Sequence, residues 1–136
     1  MAVVVGNGLS YFDRLEQTAD FLVLWLQVKA PKASFNLAVN GIRKAYSETT
    51  GYPIIVIGGE PAPYAIYTNE PWISPRWGGK QNPNQEWIQN AIIEVIPTIQ
   101  SIMSGVITKD DYARITGTTE MLLNNQFDSS ANQYAI

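Results

Sequence analysis

"YFDRLEQTADFLVLWLQVK", residues 11–29, decides how the chain is read. Ser10 stands directly before it and Asp13 three residues on, the spacing of a capping box, in which hydroxyl and carboxylate each take one backbone N–H at a helix start. Phe12, Leu15, Ala19, Leu22 and Leu26 recur at helical spacing, and Phe21, Trp25 and Val28 widen the stripe. Asp13, Arg14, Glu16, Gln17 and Asp20 fall largely outside it. The pattern predicts an amphipathic helix of about five turns, ended by Pro31. So broad an apolar face implies burial against more than one neighbour.

Upstream, Gly6, Asn7 and Gly8 interrupt the apolar run, leaving Ala2 to Val5 as a short strand or arm. Downstream, "APKASFNLAVNGIRKAY" (30–46) fits two patterns: Phe35, Leu37 and Val39 alternate as in a strand, while Leu37, Ala38, Gly41, Ile42 and Ala45 fit a helix. Asn40 and Gly41 disfavour either interior. The reading adopted is a strand or extended start passing into a short helix near Asn40 to Ser47. "TTGYPIIVIGGEP" (49–61) is clearer, a buried β-branched strand from Ile54 to Ile57 between glycines.

A second long helix is expected to open with Asn82 as N-cap, Pro83 at the first helical position and Gln85 completing a capping box. Its stripe is Trp87, Ile88, Ala91, Ile92, Val95, Ile96, Ile99 and Met103, with a kink or new turn at Pro97 and an end at Gly105. Thr108, followed by Asp110 and Asp111, is read as capping a short helix reaching Ile115. From Thr116 onward the chain is polar and weakly periodic, so no core is expected from it. The fold class is therefore α+β: a small antiparallel β-sheet packed against two long α-helices. One domain occupies 1–105, and residues 106–136 form an extended C-terminal tail ordered by neighbouring subunits.

At 136 residues the chain suits a single core. With neither Cys nor His it has no thiolate nucleophile, disulfide or zinc-thiolate site, and lacks the commonest general base and metal ligand. A formal net charge of −3 gives no basic footprint for nucleic acid. No apolar stretch spans a bilayer and no signal peptide opens the chain, so a soluble protein is expected. Among the carboxylates, Asp110 and Asp111 read better as helix-capping residues than as a pair. Glu60 and Glu70 are the remaining candidates for acid–base chemistry. Gly58-Gly59 lacks any following phosphate-binding motif. No catalytic residue, metal ligand or cofactor is assigned.

The feature that calls for a function is "APYAIYTNEPWISPRWGGKQNPNQEW" (62–87). Its aromatics follow neither period. Trp72 and Trp77 sit between prolines and glycines, where no regular element buries them, so they either fold back on the domain or anchor in a partner. Tyr64 and Tyr67 share a face on a helical turn and also suit core packing.

This stretch resembles the small neck proteins of tailed bacteriophages, the tail-completion, head–tail joining or minor capsid proteins. Pro63, Tyr64, Ala65, Tyr67, Asn69 and Glu70 match one family motif, Asn82, Pro83 and Trp87 another. Ala30, Pro31, Ser34 and Leu37 are similar to a third, with Phe35 or Asn36 where the family favours Gly. The resemblance covers roughly residues 11–104 and is specific from Gly58 to Ala91. It implies a structural virion protein without enzyme activity, forming a homo-oligomeric ring, hexamer or dodecamer, at the head–tail junction. Its partners would be other neck, connector and tail-tube or terminator proteins, with DNA passing nearby and no membrane. The expected interface is Tyr64, Tyr67, Glu70, Trp72, Ile73, Arg76, Trp77 and Lys80. The alternative is a small soluble adaptor or inhibitor that binds one host protein through the Trp-rich loop 70–80.

Overall fold

Ser10 opens α1 (Tyr11–Lys29) as expected: its hydroxyl accepts from the Asp13 N–H at 3.2 Å, and the Asp13 carboxylate accepts from the Ser10 N–H at 3.4 Å. The backbone turns extended at Ala30, ahead of Pro31, whose ring and missing N–H bar another turn. The computed structural model describes residues 10–31, 36–59, 65–70, 73–74 and 80–134. The strand or arm expected at Ala2 to Val5 lies outside them.

The broad stripe of α1 serves two clusters. Leu26 and Ala30 meet Leu37, Ala38, Ile42, Ala65, Trp87 and Ala91. Phe21 meets Val95, Ile102 and Ile107. Trp25 packs against both.

Between α1 and the sheet, the order of elements is the reverse of the expected one. A short α2 (Asn36–Asn40) comes first and β1 (Ile42–Tyr46) follows. The Gly41 N–H donates to Leu37 O at 2.9 Å and ends the helix. What decides the segment is tertiary: β1 pairs antiparallel with β2 (Pro53–Ile57), Ile42 opposite Ile57 and Tyr46 opposite Pro53. A β-branched strand needs a partner for its backbone groups, and that demand overrides the weak local preferences of 42–46. β2 itself is not buried on both faces. Ile54 is exposed, because α1 covers only one side of the ribbon.

An ionic cluster ties this ribbon to α1. Lys44 Nζ lies 2.5 Å from Glu16 Oε2 and 2.8 Å from Asp20 Oδ1, and Tyr46 OH donates to Glu16 Oε2 at 3.0 Å. Hydrogen bonds from Lys44 and Tyr46 hold the Glu16 carboxyl below its ordinary range. The hydrogen bonds that the Asp20 and Glu16 carboxylates accept from Lys44 hold its ammonium well above its own.

After α3 (Ala65–Asn69) and the two-residue ladder of β3 (Ile73–Ser74) with β4 (Lys80–Gln81), the expected second long helix is two helices, α4 (Trp87–Glu94) and α5 (Ile96–Met103). Pro97 occupies the first turn of α5 and has no N–H for Ile93 O. Val95 (φ −113°, ψ 12°) breaks the path, its N–H donating to Ile92 O at 3.1 Å. The indole N–H of Trp25 donates to Ala91 O at 2.9 Å. Lys29 lies 4.9 Å over the Trp25 ring and pairs with Glu94 at 2.9 Å, fixing the end of α4. Gly105, at φ 76°, follows α5 in the conformation expected of a helix-ending glycine.

Thr108 does cap the next helix, accepting from the Asp111 N–H at 3.1 Å. That helix, α6 (Lys109–Tyr134), does not stop near Ile115. It packs along α1, with Tyr112 OH donating to Gln17 O at 3.0 Å and Thr119 and Leu123 buried. The expectation that residues beyond Thr116 bring no core is corrected. The hydroxyls of Thr116, Thr118 and Thr119 donate to carbonyls four residues back, at Tyr112, Arg114 and Ile115. Threonines satisfied in this way can enter a packed face, although their composition reads as polar. The molecule is an α+β domain, with a small antiparallel sheet packed against α1 and the long α6 on another side of it.

Candidate functional site

The two stretches flanking the Trp-rich loop are bonded to each other. Asn82 is only 6% exposed, and its side-chain amide donates to Thr68 O at 2.9 Å and Glu70 O at 2.8 Å. Its carbonyl oxygen accepts from the Asn84 N–H at 3.0 Å. The buried Trp87 donates its indole N–H to Thr68 Oγ1 at 2.9 Å. Asn69 takes two more groups: its backbone oxygen accepts from the Glu86 N–H, and its side-chain oxygen from the Ile88 N–H, each at 2.9 Å.

The last of these bonds overturns the expected helix start. Asn82 does not cap α4. It holds a turn, with Pro83 at the second turn position, where a fixed φ suits it. The residue before α4 is Glu86, in the left-handed conformation at φ 60°, without a side-chain cap bond of its own. The cap is supplied from a distance by Asn69, which satisfies the N–H two places into the helix. A left-handed Glu costs about 1–2 kcal/mol. The Glu86–Asn69 bond and the buried Trp87 beside it hold the backbone there.

The result is a closed clamp. α3 with Glu70 forms one jaw, and Asn82 with the start of α4 forms the other. Between them the β3–β4 ladder pairs Ile73 with Gln81 and Ser74 with Lys80. Of the expected interface residues, Glu70 is exposed at the clamp, Tyr67 belongs to α3, Ile73 to β3 and Lys80 to β4. The structure brings these four to the base of one loop. Tyr64, Trp72, Arg76 and Trp77 lie outside the described residues, as does Glu60, one of the two acid–base candidates. Beside the clamp, Ile57, Ala65, Asn69, Glu70 and Ile88 line a shallow hollow of about 280 Å³.

Sequence reasoning missed Thr68, and it named Asn69 as a motif match without its role as a helix cap. Asn82-Pro83 carried a real turn signal, but one shared by helix caps and free turns. The pairing of Asn69 with a helix N–H 19 residues downstream of it leaves no local signature. Among the described residues, no group of three or more Asp or Glu could hold a metal ion. No helix there is long and apolar enough to cross a membrane. Comparison with protein-family models, with curated proteins and with solved structures finds no match.

Proposed function

We propose that this chain is a structural protein of a tailed-bacteriophage virion, one subunit of a ring joining head to tail around the DNA channel, and not an enzyme. The observation that carries the reading is the clamp. The two stretches that resemble the neck family, Pro63–Glu70 and Asn82–Trp87, are bonded to each other through Thr68, Asn69 and Asn82. A loop held at both ends presents its side chains at low ordering cost, which favours contact surface. Its Trp72, Arg76 and Trp77 are of the residue types that dominate interface hot spots. A net charge of −3 suits a lining along which DNA slides, because a basic wall would retain it.

Native mass spectrometry of the purified chain tests this reading. It should show a hexamer or dodecamer, and Trp72→Ala with Trp77→Ala should abolish that species while the far-UV circular dichroism and melting temperature stay near wild type. A wild-type chain that never assembles would favour the single-partner adaptor instead. An unfolded double variant would place the two tryptophans in the core.

A further inference from the structure

The β1–β2 ribbon has an edge to which nothing is paired. The Ser47 N–H donates to Tyr52 O at 2.9 Å and the Gly58 N–H to Gly41 O at 2.7 Å. Between those limits the bonded pairs of an antiparallel ladder alternate, Ala45 with Ile54 and Arg43 with Val56. The backbone groups of Ile55 and Ile57 therefore point away from β1. Among the described residues the sheet ends at β2, and none of them bonds these groups. On the opposite edge, Ile42 O accepts from the Gln27 side chain at 3.4 Å. Edge strands are commonly guarded by charge, a bulge or proline. In β2 Pro53 guards the first position, and Ile54–Ile57 follows in continuous register without a charge. This edge runs into the hollow beside the clamp. Ile57 belongs to both, and Ala65, Ile88, Asn69 and Glu70 line the rest. Glu70 is exposed, and among the described residues its carboxylate has no partner.

We infer that the β2 edge and this hollow together receive an extended, basic segment of a different protein, which adds a third strand to the ribbon. The open N–H and C=O groups call for a strand, because another extended backbone supplies acceptors and donors at the matching spacing. In such a ladder, the residue facing Ile57 turns its side chain to the same face as Ile57, into the hollow. There it meets an apolar wall of Ile57, Ala65 and Ile88 with a carboxylate beside it. A lysine or arginine fits both, its stem on the wall and its cationic head at Glu70. An aliphatic side chain would leave Glu70 unmet, and an acidic one would be repelled. This chain's own cations are largely spent: Arg14, Lys29, Arg43, Lys44 and Arg114 bond within it. With a net charge of −3, it favours a basic partner over a second copy of itself.

The inference goes beyond the ring reading, and its readout is local to β2, so either can fail alone. The probes are a capped peptide, Thr-Val-Thr-Lys-Thr-Val-Thr, and its counterpart with glutamate at the centre, each used up to about 1 mM. Without peptide, hydrogen exchange of the full chain should be fast at the Ile55 and Ile57 amides and slow at Ile54 and Val56. The lysine peptide should slow Ile55 and Ile57, and a version N-methylated at its central residues should not. Fluorescence anisotropy at low salt should show the lysine peptide binding about tenfold more tightly than the glutamate one. Glu70→Gln, at an exposed position, should keep the melting temperature and cut that preference to about twofold. Fast exchange at Ile55 and Ile57 that the lysine peptide does not slow overturns the inference. So does an edge protected before any peptide is added, since the chain or its own copy then covers it. A lysine preference that Glu70→Gln leaves unchanged reflects net charge alone and overturns it too.

Discussion

Asn82 shows how much one side chain can hold. It is buried and satisfies three backbone groups, two of them carbonyls from another part of the chain. Replacing it with Ala strands those groups, at about 1–3 kcal/mol for each buried polar group left without a partner. Ile92, by contrast, is over a third exposed. Ile92→Ala should cost well under the roughly 2–5 kcal/mol of a buried aliphatic. Urea melts should therefore rank Asn82→Ala as the more damaging, the reverse of what a helix cap and a core isoleucine would give. The ionic cluster makes a second prediction at this scale. Glu16 titrates below its ordinary 4.5 when folded, so its contribution is full above 4.5 and is lost as pH falls through the lower folded value. Lys44 titrates above its ordinary 10.5, so its contribution is full below 10.5 and fades as pH rises. Burial, with the charge of Asp20, pushes the Tyr112 hydroxyl from 10.0 up to about 12, so stability also falls between those values as the unfolded chain ionises first. Melting temperature should be level near neutrality and drop below about pH 4.5 and above about pH 10. Lys44→Met should flatten the acid limb, as seen by thermal melts across pH.

Among the elements, α6 carries the clearest prediction. Its buried Thr119 and Leu123 lie on the face that α1 covers. Leu123→Ala should cost about 2–3 kcal/mol. Hydrogen exchange of the monomer should show amides of 112–123 protected together with those of α1. Fast exchange there would mean that α6 docks only in an assembly. The sequence made α1 legible in full, because cap, stripe and terminating proline agree. It made β2 legible as a strand, and α4–α5 as helical with a fault near Pro97. It did not reveal that the fault falls at Val95, since the Trp25 indole reaching Ala91 O comes from 66 residues away. The order of α2 and β1 was hidden for the same reason: pairing with β2 decided it. α6 was hidden because threonines bonded to their own helix, the buried Thr119 among them, read as polar. For the clamp, the composition of the loop pointed to the right neighbourhood. The bonds that close it come from Thr68 and Asn69, which no periodicity marks.

For the molecule as a whole, the clamp at the start of α4 is the feature on which the proposed ring contact rests. A closed ring requires a head-to-tail contact, in which one patch of each subunit meets a different patch of the next. Loop variants, followed by native mass spectrometry, should remove the assembled species and leave the subunit folded. The way α1 is covered also has a consequence in time. Helix α1 is completed by much later ones: Arg14 reaches Met103 O of α5 across 89 residues, and Gln17 O receives Tyr112 of α6 across 95. During synthesis at about 5–20 residues per second, Phe21 and Leu22 emerge roughly 5–20 seconds before the residues that cover them. The nascent chain leaves the ribosome with one face of its central helix still wet. A chaperone that holds apolar helices has its opportunity in that interval, and so has aggregation.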